Sequence, residues 1–114
     1  MKIAIVGCRK VPDAKKAYDL IRRTIPRNCS EIVSGGAAGI DTLAELYASE
    51  NKLHLTVFKP EFDKYGKFAT KIRNTQIVAY ADLIYAYWDM NSRGTAFTLK
   101  QCIEMGKPFK IFRL

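Results

Sequence analysis

The stretch IVSGGAAGIDTLAELYA, residues 32–48, joins a short apolar run to an amphipathic segment through three glycines in five positions. Glycine weakens the interior of both strands and helices. A glycine cluster is therefore expected where the backbone turns sharply or where another group must approach it closely. A strand, a glycine-rich turn and a helix in succession indicate one unit of a parallel α/β sheet.

The same alternation continues along the whole chain. Helices are predicted from Pro12 and Asp13 to Pro26, after the glycines, over Ala69–Ala81 and over Thr95–Met105, and residues 60–68 are predicted to form a loop. Apolar, β-branched segments predict strands at Lys2–Gly7, Glu31–Ser34, His54–Lys59, Asp82–Trp88 and Pro108–Phe112. We therefore predict one Rossmann-like, three-layer α/β domain over residues 1–114, with a five-stranded parallel sheet in the order 3-2-1-4-5.

In such a sheet, ligands bind beyond the carboxyl ends of the strands, where the winding direction reverses. Three loops are predicted to meet there: GCRK after the first strand, SGGAAGID after the second and DMNSRGT after the fourth. Two of these loops lead directly into helices, whose N-termini attract anions. The turn at residues 35–41 is neither a Walker A motif nor a dinucleotide fingerprint, and a purely structural turn is the alternative.

The composition favours an anionic partner. Nineteen Lys and Arg against eleven Asp and Glu give a net charge of +8. Three scattered cysteines and one histidine do not indicate a disulfide framework, a metal site or another cofactor. No apolar run is long enough to cross a membrane, and we expect a cytoplasmic protein without a membrane partner.

Several individual residues have a plain alternative to a binding role. Ser92 could simply cap a helix, and Cys8 could be a small buried hydrophobe. Arg9 and Arg73 could be solvated charges. For Arg73 we instead expect a side chain that reaches outward to a ligand phosphate and contributes little to folding.

The motifs GCR (7–9), GGAAGID (35–41), YGKFATKIRN (65–74) and SRGT (92–95), in this order, resemble the SLOG superfamily, and within it the YspA/YpsA-like branch. The resemblance implies a nucleotide or nucleotide-derived ligand, bound or sensed at the strand ends. It also implies contacts to that ligand from Gly7, Cys8, Arg9, Gly35, Gly36, Gly39, Asp41, Arg73, Asn74, Ser92, Gly94 and Thr95.

The superfamily also contains the LOG phosphoribohydrolases and the DprA DNA-processing proteins, which imply two alternatives: hydrolysis of a nucleotide or nucleoside derivative, and nucleic-acid binding. Thr98 occupies the position of the LOG glutamate, so the first alternative lacks its acid. Asp41, Asp63 or Asp89 could supply a carboxylate, but no catalytic residue is assigned. Nucleic acid is the second choice of partner, because no stripe of alternating aromatic and basic residues is evident in the sequence. Tyr87 or Trp88 could stack on a base, and the oligomeric state is open.

Overall fold

The computed structural model describes all 114 residues and contains a five-stranded sheet. Its strands are β1 (Lys2–Gly7), β2 (Glu31–Ser34), β3 (His54–Val57), β4 (Leu83–Trp88) and β5 (Phe109–Arg113). All neighbouring pairs are parallel, and the order is β3-β2-β1-β4-β5. Ile3, in the central strand, pairs with Ile32 on one side and with Leu83 on the other. The predicted fold class and strand order are confirmed.

The helices are α1 (Ala14–Thr24), α2 (Ile40–Glu50), α3 (Phe62–Tyr65), α4 (Ala69–Tyr80) and α5 (Arg93–Met105), with a 3-10 turn at Gly66–Phe68. Asp13 caps α1 by accepting a hydrogen bond from the Lys16 backbone N–H. Gly106 closes α5 in the left-handed conformation at φ 68°, as glycine permits. The predicted loop at residues 60–68 is wrong from Phe62 onward, where α3 and the 3-10 turn follow each other. α5 also begins two residues earlier than predicted.

The two faces of the sheet bury separate cores because side chains alternate along each strand. Ile3 and Ile5 of β1 pack with α1 and α2, whereas Ala4 and Val6 pack with α4 and α5. Full burial of one such large aliphatic side chain is worth about 1.5–3 kcal/mol. The two cores together fix the three-layer architecture. No helix is both long and apolar enough to cross a membrane.

The strand order reverses between β1 and β4, which are neighbours in space. The loops that follow β1, β2 and β4 therefore leave the same edge of the sheet beside one another. α4, which packs beside α5, closes the far side of this edge.

Candidate functional site

A cavity of about 300 Å³ lies at the carboxyl ends of β1, β2 and β4. Ten of the twelve predicted contact residues line it: Gly7, Cys8, Arg9, Gly35, Asp41, Arg73, Asn74, Ser92, Gly94 and Thr95. Its wall also contains Lys10, Thr70, Asp89 and Thr98. Of these, Lys10 and Thr70 were missed, although Thr70 lies one helical turn before Asn74 and that spacing could have identified it.

Gly36 and Gly39 do not line the cavity. The backbone of Gly39 has φ 77°, and a Cβ there would lie 2.4 Å from the carbonyl oxygens of Cys8 and Arg9. The chain that approaches this glycine is thus the protein's own loop after β1. Gly36 has φ 71° and faces the side chains of Val57 and Lys59. Both glycines have a structural reason to be present.

Arg73 is buried, at 6% exposure, instead of reaching outward from the surface. Its Nη1 donates to the carbonyl oxygen of Gly35 and, at 3.3 Å, to that of Phe58. Its Nε donates to Asn74 Oδ1 at 2.7 Å. Nη2 has no partner within the protein, so one end of the guanidinium remains available to the cavity. The expectation that the Arg73 side chain reaches outward is wrong. Its two Nη1 hydrogen bonds join the loop after β2 and Phe58, just after β3, to α4, and we therefore expect it to contribute to folding.

Asp41 lies behind the glycine turn with 8% exposure. Its Oδ2 accepts a hydrogen bond from the Ala37 N–H at 3.1 Å. Burial raises the pKa of the Asp41 carboxyl above its ordinary value, while that hydrogen bond and the charge of Arg73 act in the opposite direction. The N–H of Ile40, at the start of α2, donates to the Cys8 carbonyl. Backbone N–H groups at and just before the N-terminus of α2 are therefore already hydrogen-bonded within the protein.

The N-terminus of α5 is different. No side chain caps it, and the backbone N–H groups of Arg93, Gly94 and Thr95 have no acceptor within the protein. Asp89 Oδ1 accepts from the N–H groups of Asn91 and Ser92 at 2.9 and 2.8 Å and so holds the preceding turn in place. Those two hydrogen bonds lower the pKa of Asp89. The free donors and the helix dipole together make this end of α5 suited to an anion.

The fold requires glycine at position 39 but not at position 94. The backbone of Gly94 is not in the left-handed region, and a Cβ there would meet no atom within 4 Å. Glycine in place of alanine costs a helix about 0.5–1 kcal/mol. The residue thus leaves the first turn of α5 open toward the cavity at some cost to the helix.

Three further residues were considered from the sequence: Cys8 and Thr98 line the cavity, and Asp63 lies outside it. Cys8 is buried, and burial together with the charge of Asp89 raises the pKa of its thiol, which disfavours a nucleophilic thiolate. Thr98 Oγ1 donates to the Gly94 carbonyl at 3.0 Å. Asp63 is exposed on α3 and does not line the cavity. No group of three or more His, Cys, Asp or Glu side chains in the structure is arranged to hold a metal ion.

The aromatic residues at the end of β4 do not line the cavity. Tyr87 is fully buried; its hydroxyl lies 2.7 Å from Thr24 Oγ1 and its ring stacks on Phe112. Trp88 Nε1 donates to the Ser92 carbonyl at 3.1 Å. The alternative of core packing holds for Tyr87, because β-strand alternation directs its ring into the core beside α1.

The fold defines a small Rossmann-like α/β protein with a cavity at the edge of the sheet where the strand order reverses. The chain belongs to the YspA, cpYpsA-related SLOG family (YAcAr), whose model matches residues 1–65. This match confirms the predicted superfamily and branch. None of the curated protein sequences matches this chain.

Two solved structures share the fold. One is DNA processing protein A (DprA) from Streptococcus pneumoniae, with a TM-score of 0.78 and 22% identity over 96% of this chain and 49% of that one. The other is DNA processing protein A from Helicobacter pylori, described with a single-stranded DNA binding mode, with a TM-score of 0.72 and 22% identity over 97% of this chain and 64% of that one. This chain thus spans about half the length of the first and under two thirds of the second.

Proposed function

We propose that the cavity binds a nucleotide or nucleotide-derived ligand whose phosphate lies against the N-terminus of α5. The observation that carries this proposal is the first turn of α5, where three unpaired N–H groups adjoin a glycine that the fold does not require. A phosphate can approach such a backbone closely and accept several hydrogen bonds at once. The cavity volume lies at the lower end of the range for small-molecule sites.

Three cationic side chains around the cavity support this orientation. One carboxylate, Asp89, lies at the same end, where its Oδ1 is held by the backbone N–H groups of Asn91 and Ser92. Arg9 and Lys10 are exposed at the rim of the cavity, and Arg73 offers its free Nη2 from the opposite wall. A guanidinium hydrogen-bonds phosphate oxygens with a directionality that an ammonium lacks. The Ser92 hydroxyl accepts from Thr95 Oγ1 at 3.3 Å, which leaves its own hydrogen free for a ligand acceptor.

Asp41 is suited to the other end of such a ligand. Its Oδ1 accepts no hydrogen bond within the protein, whereas Oδ2 is held by Ala37. A carboxylate repels phosphate but accepts hydrogen bonds from sugar hydroxyls. We therefore assign the ribose to the side of Asp41 and the phosphate to the side of α5.

The test has two parts. Purified protein is denatured and any released small molecule is identified by mass spectrometry. Melting curves are then recorded with a panel of nucleoside mono- and diphosphates and cyclic nucleotides. At least one nucleotide should raise the melting temperature. Thr95→Val should weaken its binding roughly two- to tenfold through loss of one hydroxyl, and Thr42→Val, on α2 outside the cavity, should not. If no panel member stabilises the protein and no nucleotide is released, the proposal is wrong.

Two other functions have distinct signatures. Hydrolysis of a nucleotide would appear as product formation in the same panel. Polynucleotide binding, favoured by the net charge of +8, would appear as a preference for oligonucleotides over mononucleotides and a steep loss of affinity with salt.

A further inference from the structure

α4 borders two separate surface depressions: the cavity on one side and an open groove on the other. Thr70, Arg73, Asn74 and Ile77 face the cavity. Lys71, Ile72, Thr75, Gln76 and Ala79 line an open groove, together with Lys64, Tyr65, Phe68 and Phe97. The two sites share no lining residue.

Three lysines each lie over an aromatic ring: Lys64 and Lys71 line the groove, and Lys67 lies beside it, next to Phe68 in the chain. Lys64 Nζ is 5.1 Å from the ring centroid of Tyr65, Lys67 Nζ is 5.3 Å from that of Phe68, and Lys71 Nζ is 5.6 Å from that of Phe97. We call these six residues the aromatic–lysine face. The Phe68 side chain is 56% exposed, although burial of such a ring is strongly favourable.

The face is predominantly basic: Glu61 lies near Lys64, but it forms no ion pair with that lysine. The only ion pairs within 4 Å in the structure join Arg22 to Asp19 and Lys100 to Glu104, so none of the three lysines has a carboxylate partner at that distance. No residue that lines the groove is acidic. The face therefore combines ammonium groups, none of which forms an ion pair, with aromatic rings, of which Phe68 is the most exposed to solvent.

We propose that the aromatic–lysine face binds single-stranded nucleic acid, with bases stacked on the rings and phosphates near the lysines. Base–aromatic stacking tolerates any sequence, and a basic groove follows the phosphate backbone. A duplex keeps its bases stacked within itself and cannot offer them to Phe68. A second copy of this chain would bring its own unpaired lysines against these, and like charges would oppose the contact. This site does not rest on the proposed function, because it lies outside the cavity.

The test is fluorescence anisotropy with a labelled oligothymidylate of about 12 nucleotides, within the site size of compact single-strand binders. Phe68→Ala should lower the affinity roughly fivefold to a hundredfold, the range measured for loss of one stacked base. Lys67→Gln should reduce the slope of log affinity against log salt by about 0.7. Lys15→Gln on α1 and Leu46→Ala on α2, both exposed on the opposite side of the sheet, are matched controls and should bind as the unaltered protein does.

Several outcomes would overturn this proposal. One is the absence of oligothymidylate binding at low salt. Another is equal competition by inorganic polyphosphate or by duplex DNA of the same length, since neither offers free bases. A third is a change of oligomeric state in Phe68→Ala with unchanged oligonucleotide affinity, which would make the face a contact between two copies. Phe68→Ala should leave mononucleotide binding in the cavity unchanged, so the two sites can fail separately.

Discussion

The guanidinium of Arg73 in α4 donates a hydrogen bond to the carbonyl oxygen of Gly35, 38 positions earlier in the chain. A Cβ at Gly35 would lie 2.7 Å from Arg73 Nη1, so glycine at that position makes room for the contact. The pair ties the loop after β2 to the helix across the cavity. The same arginine thus shapes the site and stabilises the fold.

Arg73→Ala should lower the free energy of unfolding by about 2–4 kcal/mol, because it leaves the buried carbonyl of Gly35 and the partly buried carbonyl of Phe58 without their charged donor. Arg73→Lys should recover only part of this, since an ammonium cannot reproduce the planar fork. Urea unfolding measures both variants. Arg22→Ala, an exposed arginine paired only with Asp19, is the control and should change stability by no more than about 0.5 kcal/mol. Equal stability of all four proteins would contradict the assigned role.

Gly94→Ala should stabilise the protein without ligand by about 0.4–1 kcal/mol, because the added Cβ meets open space and alanine has less backbone entropy to lose. The same methyl group should obstruct a phosphate at the start of α5 and weaken nucleotide binding roughly tenfold to a hundredfold, the equivalent of one lost charge-assisted hydrogen bond. Melting curves and isothermal titration measure the two effects separately. Unchanged affinity would move the phosphate away from Gly94.

Gly39→Ala provides the contrast. Its Cβ would lie 2.4 Å from two backbone oxygens and its φ is 77°, so the loop after β1 must shift. We expect a loss of stability of several kcal/mol, because both strain and overpacking are involved. A stable Gly39→Ala protein in urea unfolding would show that the packing of this turn against Cys8 and Arg9 is looser than described.

Asp41 should make stability depend on pH in a defined direction. Its folded-state pKa is raised, so the neutral carboxyl favours the folded state. That contribution is complete below the unfolded-state pKa of about 3.9 and is lost as the pH rises through the folded-state pKa. The amide of Asp41→Asn does not titrate.

The unfolding free energy of the unaltered protein minus that of Asp41→Asn should therefore fall as the pH rises from about 3 to 7. The fall amounts to about 1.4 kcal/mol for each unit by which the folded-state pKa exceeds the unfolded one. Taking the difference removes the titration of all other groups. A difference that rises with pH would mean that Arg73 and Ala37 outweigh the effect of burial.

LOG-type release of adenine from AMP should be absent or slow. Thr98 is 3% exposed and its hydroxyl donates to the Gly94 carbonyl, so no carboxylate lies at that position. Chromatography of AMP after long incubation should show no more free adenine than a sample without protein. Brisk release that follows the protein through purification would contradict the prediction.

The sequence by itself determined the order of the elements and therefore the topology. Apolar runs such as Lys2–Gly7 and Glu31–Ser34 were predicted with the bounds that the structure shows. Such runs are read correctly because strands buried on both faces carry continuous apolar sequence. Because the connections between parallel strands are right-handed, this order of the elements also fixes where the winding direction of the sheet reverses. That is why ten of the twelve predicted site residues lie around one cavity.

Only the tertiary structure decided what each glycine and each charge does. Gly39 and Gly94 look alike in sequence, but one packs against the loop after β1 and the other faces open space. Arg73 looks like a helix-surface charge until the loop after β2, 38 positions away, folds over it. Lys71 and Phe97 lie on different helices, so no linear stripe shows that they meet. These contacts join segments distant in sequence, and local patterns carry no information about which side chains such packing brings together.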